Sequence, residues 1–155
     1  MNRCTYRVIY GDTDQMGVVY YANYLAFFER GRCEYMRERS FDYASFEKQG
    51  FILPVTEASV KYRQPARFDD LLVIETTMTA ASRITATFGY RVLRDGDCVL
   101  LVLGSTTHAC LTREGRPVRF PPPIKALMPD ALFGAAGLLR DPLKNATSTD
   151  QGERP

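Results

Sequence analysis

Apolar positions along this chain switch from a two-residue period to a helical one and back. Residues 5–10, TYRVIY, mix β-branched and aromatic side chains before Gly11-Asp12, which predicts a strand and its exit. From about Ala22 to Ser40 the spacing becomes helical: Tyr21, Tyr24, Leu25, Phe28, Gly31, Tyr35 and Met36 form a stripe, widened by Phe27 and Cys33. Glu29, Arg30, Glu34, Arg37 and Glu38 fall mostly off that stripe, on a solvated face. Alternation then returns in residues 54–63 and 84–93, and residues 71–80 are rich in β-branched side chains, so each predicts a strand. Residues 98–112, CVLLVLGSTTHACLT, are the most apolar run and predict one long central strand bent at Gly104. Asp95-Gly96 predicts a hairpin, making the last two strands antiparallel neighbours.

A strand, a long helix and then four strands predict an α+β domain whose antiparallel sheet lies on one principal helix. The prolines of FPPPIKALMP cannot enter a sheet interior and close the domain. From Asp141 the composition turns polar and small, which predicts a flexible tail over residues 141–155 behind a single domain of residues 1–140.

Composition narrows the class. A chain of 155 residues with 45% hydrophobic and 25% charged residues can bury a core without staples. No apolar run is long enough to cross a bilayer, and the first residues lack a signal-peptide core, so the expectation is a cytoplasmic protein. Cys4, Cys33, Cys98 and Cys110 show no metal-ligand spacing, and one histidine gives them little help, so neither a metal nor an organic cofactor is expected. A net charge of +2 with scattered arginines predicts no nucleic-acid partner.

The chemistry concentrates in residues 9–24, IYGDTDQMGVVYYANY, which set a carboxylate ahead of a glycine and a helix start. Asp14 can serve as base or nucleophile at an activated carbonyl, Gly17 lets backbone approach a ligand, and free amides of the helix's first turn can hold an oxyanion. The competing role for Asp14 is a turn carboxylate bonded to its own backbone; for Asp12 that bracing role is preferred. A calcium loop is rejected, because Met16 occupies a ligand position and Asn23 stands where a bidentate glutamate belongs. His108 is read as a satisfied structural histidine, and Glu29, Arg30 and Arg32 as surface or interface charges.

Residues 9–32, IYGDTDQMGVVYYANYLAFFERGR, resemble the opening of the hot-dog-fold acyl-CoA thioesterases of the 4-hydroxybenzoyl-CoA thioesterase family, and are also similar to the bacterial acyl-CoA thioesterases associated with the Tol–Pal system. The likeness continues more weakly through PARFDDLLVIET to about residue 112. It implies a five-stranded antiparallel sheet wrapped around the central helix, homodimers joined through their sheets or homotetramers, and active sites at the subunit boundary. It also implies hydrolysis of an acyl-CoA substrate, with Asp14 as the catalytic carboxylate and the Tyr21 backbone N–H as the oxyanion donor. The Tol–Pal branch commonly carries histidine at this place and the aromatic-acyl branch tyrosine, which leaves the acyl preference open. Ser82-Arg83-Ile84-Thr85 resembles a segment that meets the nucleotide end of coenzyme A, so Arg83 and Thr85 join Gly17 and Tyr21 as substrate-binding expectations. Arg63 and Arg67 are further guanidinium candidates for its phosphates. A non-catalytic module that holds acyl-CoA or an acyl carrier on the same fold is the alternative.

Overall fold

The computed structural model describes residues 1–41 and 43–125; the expected domain end at 140 and the tail of residues 141–155 lie outside the described residues. Strand β1 (Asn2–Arg7) leads through a short 3-10 turn (Tyr10–Asp12) to the helix α1 (Asn23–Arg37). A second helix, α2 (Tyr43–Lys48), and a short strand, β2 (Phe51–Ile52), precede the long strands β3 (Val55–Tyr62), β4 (Leu71–Ala81), β5 (Thr85–Arg94) and β6 (Leu100–Ala109). Strand β7 (Leu111–Thr112) and helix α3 (Pro122–Lys125) complete the described elements.

Five strands form one antiparallel sheet in the order β1-β4-β5-β6-β3, and α1 crosses one face of it. Along β4 the residues Leu72, Ile74, Thr76 and Met78, and along β5 Ala86, Phe88, Tyr90 and Val92, are buried toward the helix, as a two-residue period requires. The buried face of α1 carries Tyr24, Phe27, Phe28, Gly31, Arg32, Tyr35 and Met36. This is the expected stripe rotated by part of a turn. Leu25 is 43% and Tyr21 61% exposed, because Leu25 lies a helical step beyond Tyr24 and Tyr21 precedes the helix altogether.

The seam between helix and sheet is set by two glycines. At Gly31 a Cβ would run into Thr76 and Ile74, and at Gly104 it would overlap the Phe28 ring and sit 2.8 Å from the Ser59 carbonyl. Phe28 fills that gap and stacks on Tyr90, with ring centroids 4.4 Å apart and planes at 6°. Gly104 stays in register with Val60 and Tyr90, and its missing side chain admits an aromatic ring. On the opposite face Glu75 is buried between Arg3 (2.8 Å) and Arg91 (2.9 Å), tying β1, β4 and β5 together.

Several boundaries move for identifiable reasons. β1 begins at Asn2, since the chain already pairs with Thr76 there, and Ile9 leaves the sheet to bond the Asp12 carboxylate. The run 98–112 divides at Cys110, after which Leu111 and Thr112 pair with β2 instead. The β5–β6 hairpin is present, but it closes through Arg94 N–H to the Val99 carbonyl (3.0 Å), with the left-handed residue at Cys98 (φ 56°) instead of Gly96. α2 and β2 arise from an aromatic cluster, Phe41, Tyr43, Phe46 and Phe51, and α2 ends at Gly50 (φ 90°), whose amide bonds the Glu47 carbonyl. All four cysteines are free thiols.

Candidate active site

Between β1 and α1 the backbone makes a small hairpin. Thr13 bridges to Val19, Gly17 N–H donates to the Asp14 carbonyl (2.9 Å) and Asp14 N–H to the Val18 carbonyl (3.0 Å). Gly17 takes φ 71°, a left-handed conformation that a residue with a Cβ adopts at a cost of about 1–2 kcal/mol. One carboxylate oxygen of Asp14, Oδ1, accepts the Met16 N–H at 2.8 Å, which fixes the side chain against its own turn. Asp14 forms no salt bridge among the described residues, and its second oxygen accepts no hydrogen bond from them. The turn role and an available carboxylate oxygen are thus both present in one side chain.

Asp12 braces the loop. Its Oδ2 accepts from the Tyr6 hydroxyl (2.8 Å) and the Ile9 amide (2.9 Å), and its carbonyl accepts from Tyr20 N–H and Asn23 Nδ2, both at 2.9 Å. The segment 65–70, PARFDD, grips the same loop from the other side: Val19 N–H bonds the Ala66 carbonyl (2.8 Å), Val8 N–H the Asp70 carbonyl (3.0 Å), and Arg67 Nη1 reaches the Gly17 carbonyl (3.4 Å). Asp70 Oδ2 in turn caps the Arg67 amide at 2.8 Å.

α1 starts beside this hairpin without a side-chain cap; its first flanking residue is Ala22. Among the described residues the amides of Tyr21 and Ala22 donate to no protein acceptor, while the carbonyls of Tyr20, Tyr21 and Ala22 all accept. Open amides at a helix start carry partial positive charge and suit a developing anion. Asp14 and Tyr21 line one cleft of about 290 Å³, whose walls include Val18, Val19, Tyr24, Tyr62 and Arg63. A larger groove of about 470 Å³ at the far end of α1, lined by Cys33, Arg37 and Tyr43 among others, lies away from the carboxylate and the helix start.

Arg83 and Thr85 lie elsewhere. They sit in the β4–β5 turn, at the opposite end of the strands from Leu71 and Arg94, which flank the Asp14 loop. Thr85 closes that turn by its hydroxyl contact with Ser82 (2.7 Å), and Arg83 is exposed. Of the guanidinium groups expected to meet the coenzyme A phosphates, Arg63 lines the cleft and Arg67 lies beside it on the Gly17 carbonyl.

His108 is 1% exposed, with Nε2 on the Thr106 hydroxyl (2.9 Å) and Nδ1 on the Leu53 carbonyl (3.2 Å). Burial, aided by the Arg32 charge, pushes its imidazole down to about 4. The Tyr90 phenol, pushed up to about 12 by burial, shares the Thr106 hydroxyl at 2.7 Å. This is a satisfied interior network, as expected. Arg32 differs from expectation: it is 8% exposed, folded under α1 near Tyr43, because helical position 32 follows 28 and 31 onto the buried face. Sequence reasoning also missed Asn23 and Tyr62, whose roles depend on partners far along the chain.

Comparison with known proteins places this geometry. The model of the thioesterase-like superfamily matches residues 8–128. The chain belongs to that superfamily. It is 38% identical over 122 residues to the acyl-CoA thioesterase YbgC of Haemophilus influenzae, covering 77% of this chain and 88% of that one. It is 31% identical over 114 residues to the putative acyl-CoA thioesterase YneP of Bacillus subtilis, covering 73% and 82%. Among solved structures, the DHNA-CoA thioesterase from Staphylococcus aureus superposes with a TM-score of 0.76 at 31% identity, over 80% of this chain and 86% of that one. The fold of this superfamily member is the hot-dog fold, a five-stranded antiparallel sheet around a central helix.

Proposed function

We propose that this superfamily member is an acyl-CoA thioesterase that converts an acyl-CoA and water into a free carboxylic acid and coenzyme A. The observation that carries this reading is the meeting, on one cleft, of a carboxylate with an unengaged oxygen and a helix start with unengaged amides. The thioester carbonyl oxygen would lie against the Tyr21 N–H, and the Asp14 carboxylate would face the carbonyl carbon. As water or the carboxylate itself adds to that carbon, negative charge gathers on the oxygen, where one preorganised donor supplies about 2.7–4 kcal/mol of barrier lowering in comparable enzymes. Collapse of the adduct breaks the carbon–sulfur bond and releases the coenzyme A thiolate, which takes up a proton. If the carboxylate has added, a second attack by water frees the acid.

Gly17, which does not itself line the cleft, shapes the turn that carries Asp14 into it, and the Tyr21 ring, exposed at its mouth, contacts the substrate. Arg83 and Thr85 can share such a site only across a subunit boundary, so their proposed contact with the nucleotide end requires a homodimer or homotetramer. The outward edge of β3, where residues 55–58 are all exposed, is the proposed seam. No helix among the described residues is long and apolar enough to cross a membrane.

Free-thiol release from a panel of aromatic, short and long acyl-CoAs tests the proposal. Turnover of at least one acyl-CoA is expected. Tight binding of acyl-CoA with no thiol release from any would establish the non-catalytic module in its place.

A further inference from the structure

Around the start of α1 the backbone carbonyls and the Asn23 amide already have partners, while the Tyr21 and Ala22 amides donate to no acceptor among the described residues. The Tyr20 carbonyl takes the Asn23 N–H (3.0 Å), the Ala22 carbonyl takes the Leu25 N–H (3.1 Å), and Asn23 Nδ2 is spent on the Asp12 carbonyl. The remaining acceptor, the Tyr21 carbonyl, is held at 3.0 Å by the hydroxyl of Tyr62, at the end of β3 and 41 residues away. We propose that Tyr62 is a positioning residue for the thioesterase reaction, its hydroxyl fixing the Tyr21 carbonyl so that the Tyr21 and Ala22 amides stay aimed at the substrate oxygen. This inference rests on the thioesterase reading.

The geometry gives the hydroxyl unusual leverage. A peptide unit is planar and trans, so holding the Tyr21 carbonyl fixes the Ala22 N–H in the opposite direction. The same bond restrains ψ of Tyr21 and hence the angle between that peptide and the one carrying the Tyr21 N–H. An uncapped first turn would otherwise fray, and a donor that must be reoriented during reaction loses much of its effect on the barrier. Tyr62 can act as an anchor because it is itself anchored. Its backbone pairs with Val102 on β6, and its ring packs edge-on against Tyr24 with centroids 5.7 Å apart and planes at 68°. Tyr24 is buried, and its hydroxyl accepts the Ala66 N–H at 3.4 Å, so the chain of contacts ends in the same PARFDD segment that grips the Asp14 loop. Partial burial and the neighbouring Tyr21 push the Tyr62 phenol above its ordinary range, which keeps the donor proton in place at neutral and mildly alkaline pH.

Tyr62→Phe removes the hydroxyl and keeps the ring. Steady-state thiol release should then show kcat lower by about tenfold, on the scale of one lost neutral hydrogen bond, with KM within about twofold of wild type. Circular dichroism should show the fold and thermal midpoint retained, since the ring contact with Tyr24 survives. A kcat equal to wild type overturns the proposal. So does a higher KM at constant kcat, which would make Tyr62 a ground-state substrate contact, and so does loss of the fold, which would make it a structural residue. Asp14→Asn, assayed beside it, separates the two levels. If wild type is active and Asp14→Asn is not, an unaffected Tyr62→Phe rejects only the positioning role; if wild type releases no thiol from any acyl-CoA, both readings fall.

Discussion

His108 and Asp14 show how differently one chain treats its polar side chains. Among the described residues Asp14 keeps one oxygen bound to its turn and one unengaged, whereas His108 has both ring nitrogens bound and is closed off from solvent. That closure has a pH consequence. The imidazole ordinarily takes a proton at 6.5, but in the folded protein only at about 4, so between these values the unfolded chain binds more protons. The stability this group contributes is fully present above pH 6.5 and is lost progressively as the pH falls from there to 4, an amount of about 3 kcal/mol. Urea titrations at pH 7 and pH 4.5 should show the midpoint falling, with a smaller fall in His108→Gln; an equal fall in both proteins would remove His108 from the account. The motif residues themselves were legible because their chemistry is local: a glycine at φ 71° and a carboxylate bonded two residues on leave a short signature in the sequence. Arg32 was not, since charge alone argues for a solvated position while its helical phase carries it inward.

At the scale of elements, the contact between α1 and the sheet depends on space as much as on apolar area. Gly104 is the test of that statement. In Gly104→Ala the new methyl group meets the Phe28 ring and the Ser59 carbonyl, so either Phe28 leaves its stack on Tyr90 or β6 shifts. Overpacking of this kind costs about 1–3 kcal/mol, and thermal denaturation should register it as a lower midpoint. A midpoint at or above the wild-type value would mean that the seam has slack. β4 and β5 were readable almost to the residue, because β5 alternates cleanly and β4, buried on both faces at Ile74, Glu75 and Thr76, is rich in β-branched residues. The segment from Phe41 to Ile52 was not read, since α2 and β2 are too short for periodicity to show and exist through contacts among Phe41, Tyr43, Phe46 and Phe51. The packing role of Gly104 was not readable for a related reason: a glycine in a strand can mark a bend or a close neighbour, and the neighbour, Phe28, lies far off in the chain.

Taken as a whole molecule, one chain presents the Asp14 cleft at one end of its sheet and Arg83 and Thr85 at the other. The proposal needs a second copy to bring them together. Sedimentation or light scattering should therefore give the mass of a dimer or tetramer, and a stable monomer with full turnover would contradict a shared site. The central claim concerns a single carboxylate, and it can be tested with little disturbance to the structure. Asparagine at position 14 retains an oxygen to accept the Met16 amide, so the turn survives while the basic, nucleophilic oxygen is lost. The decisive measurement is kcat for thiol release by Asp14→Asn on the best acyl-CoA of the panel: the account predicts a fall of about 100-fold or more with the fold intact, and turnover equal to wild type would contradict it.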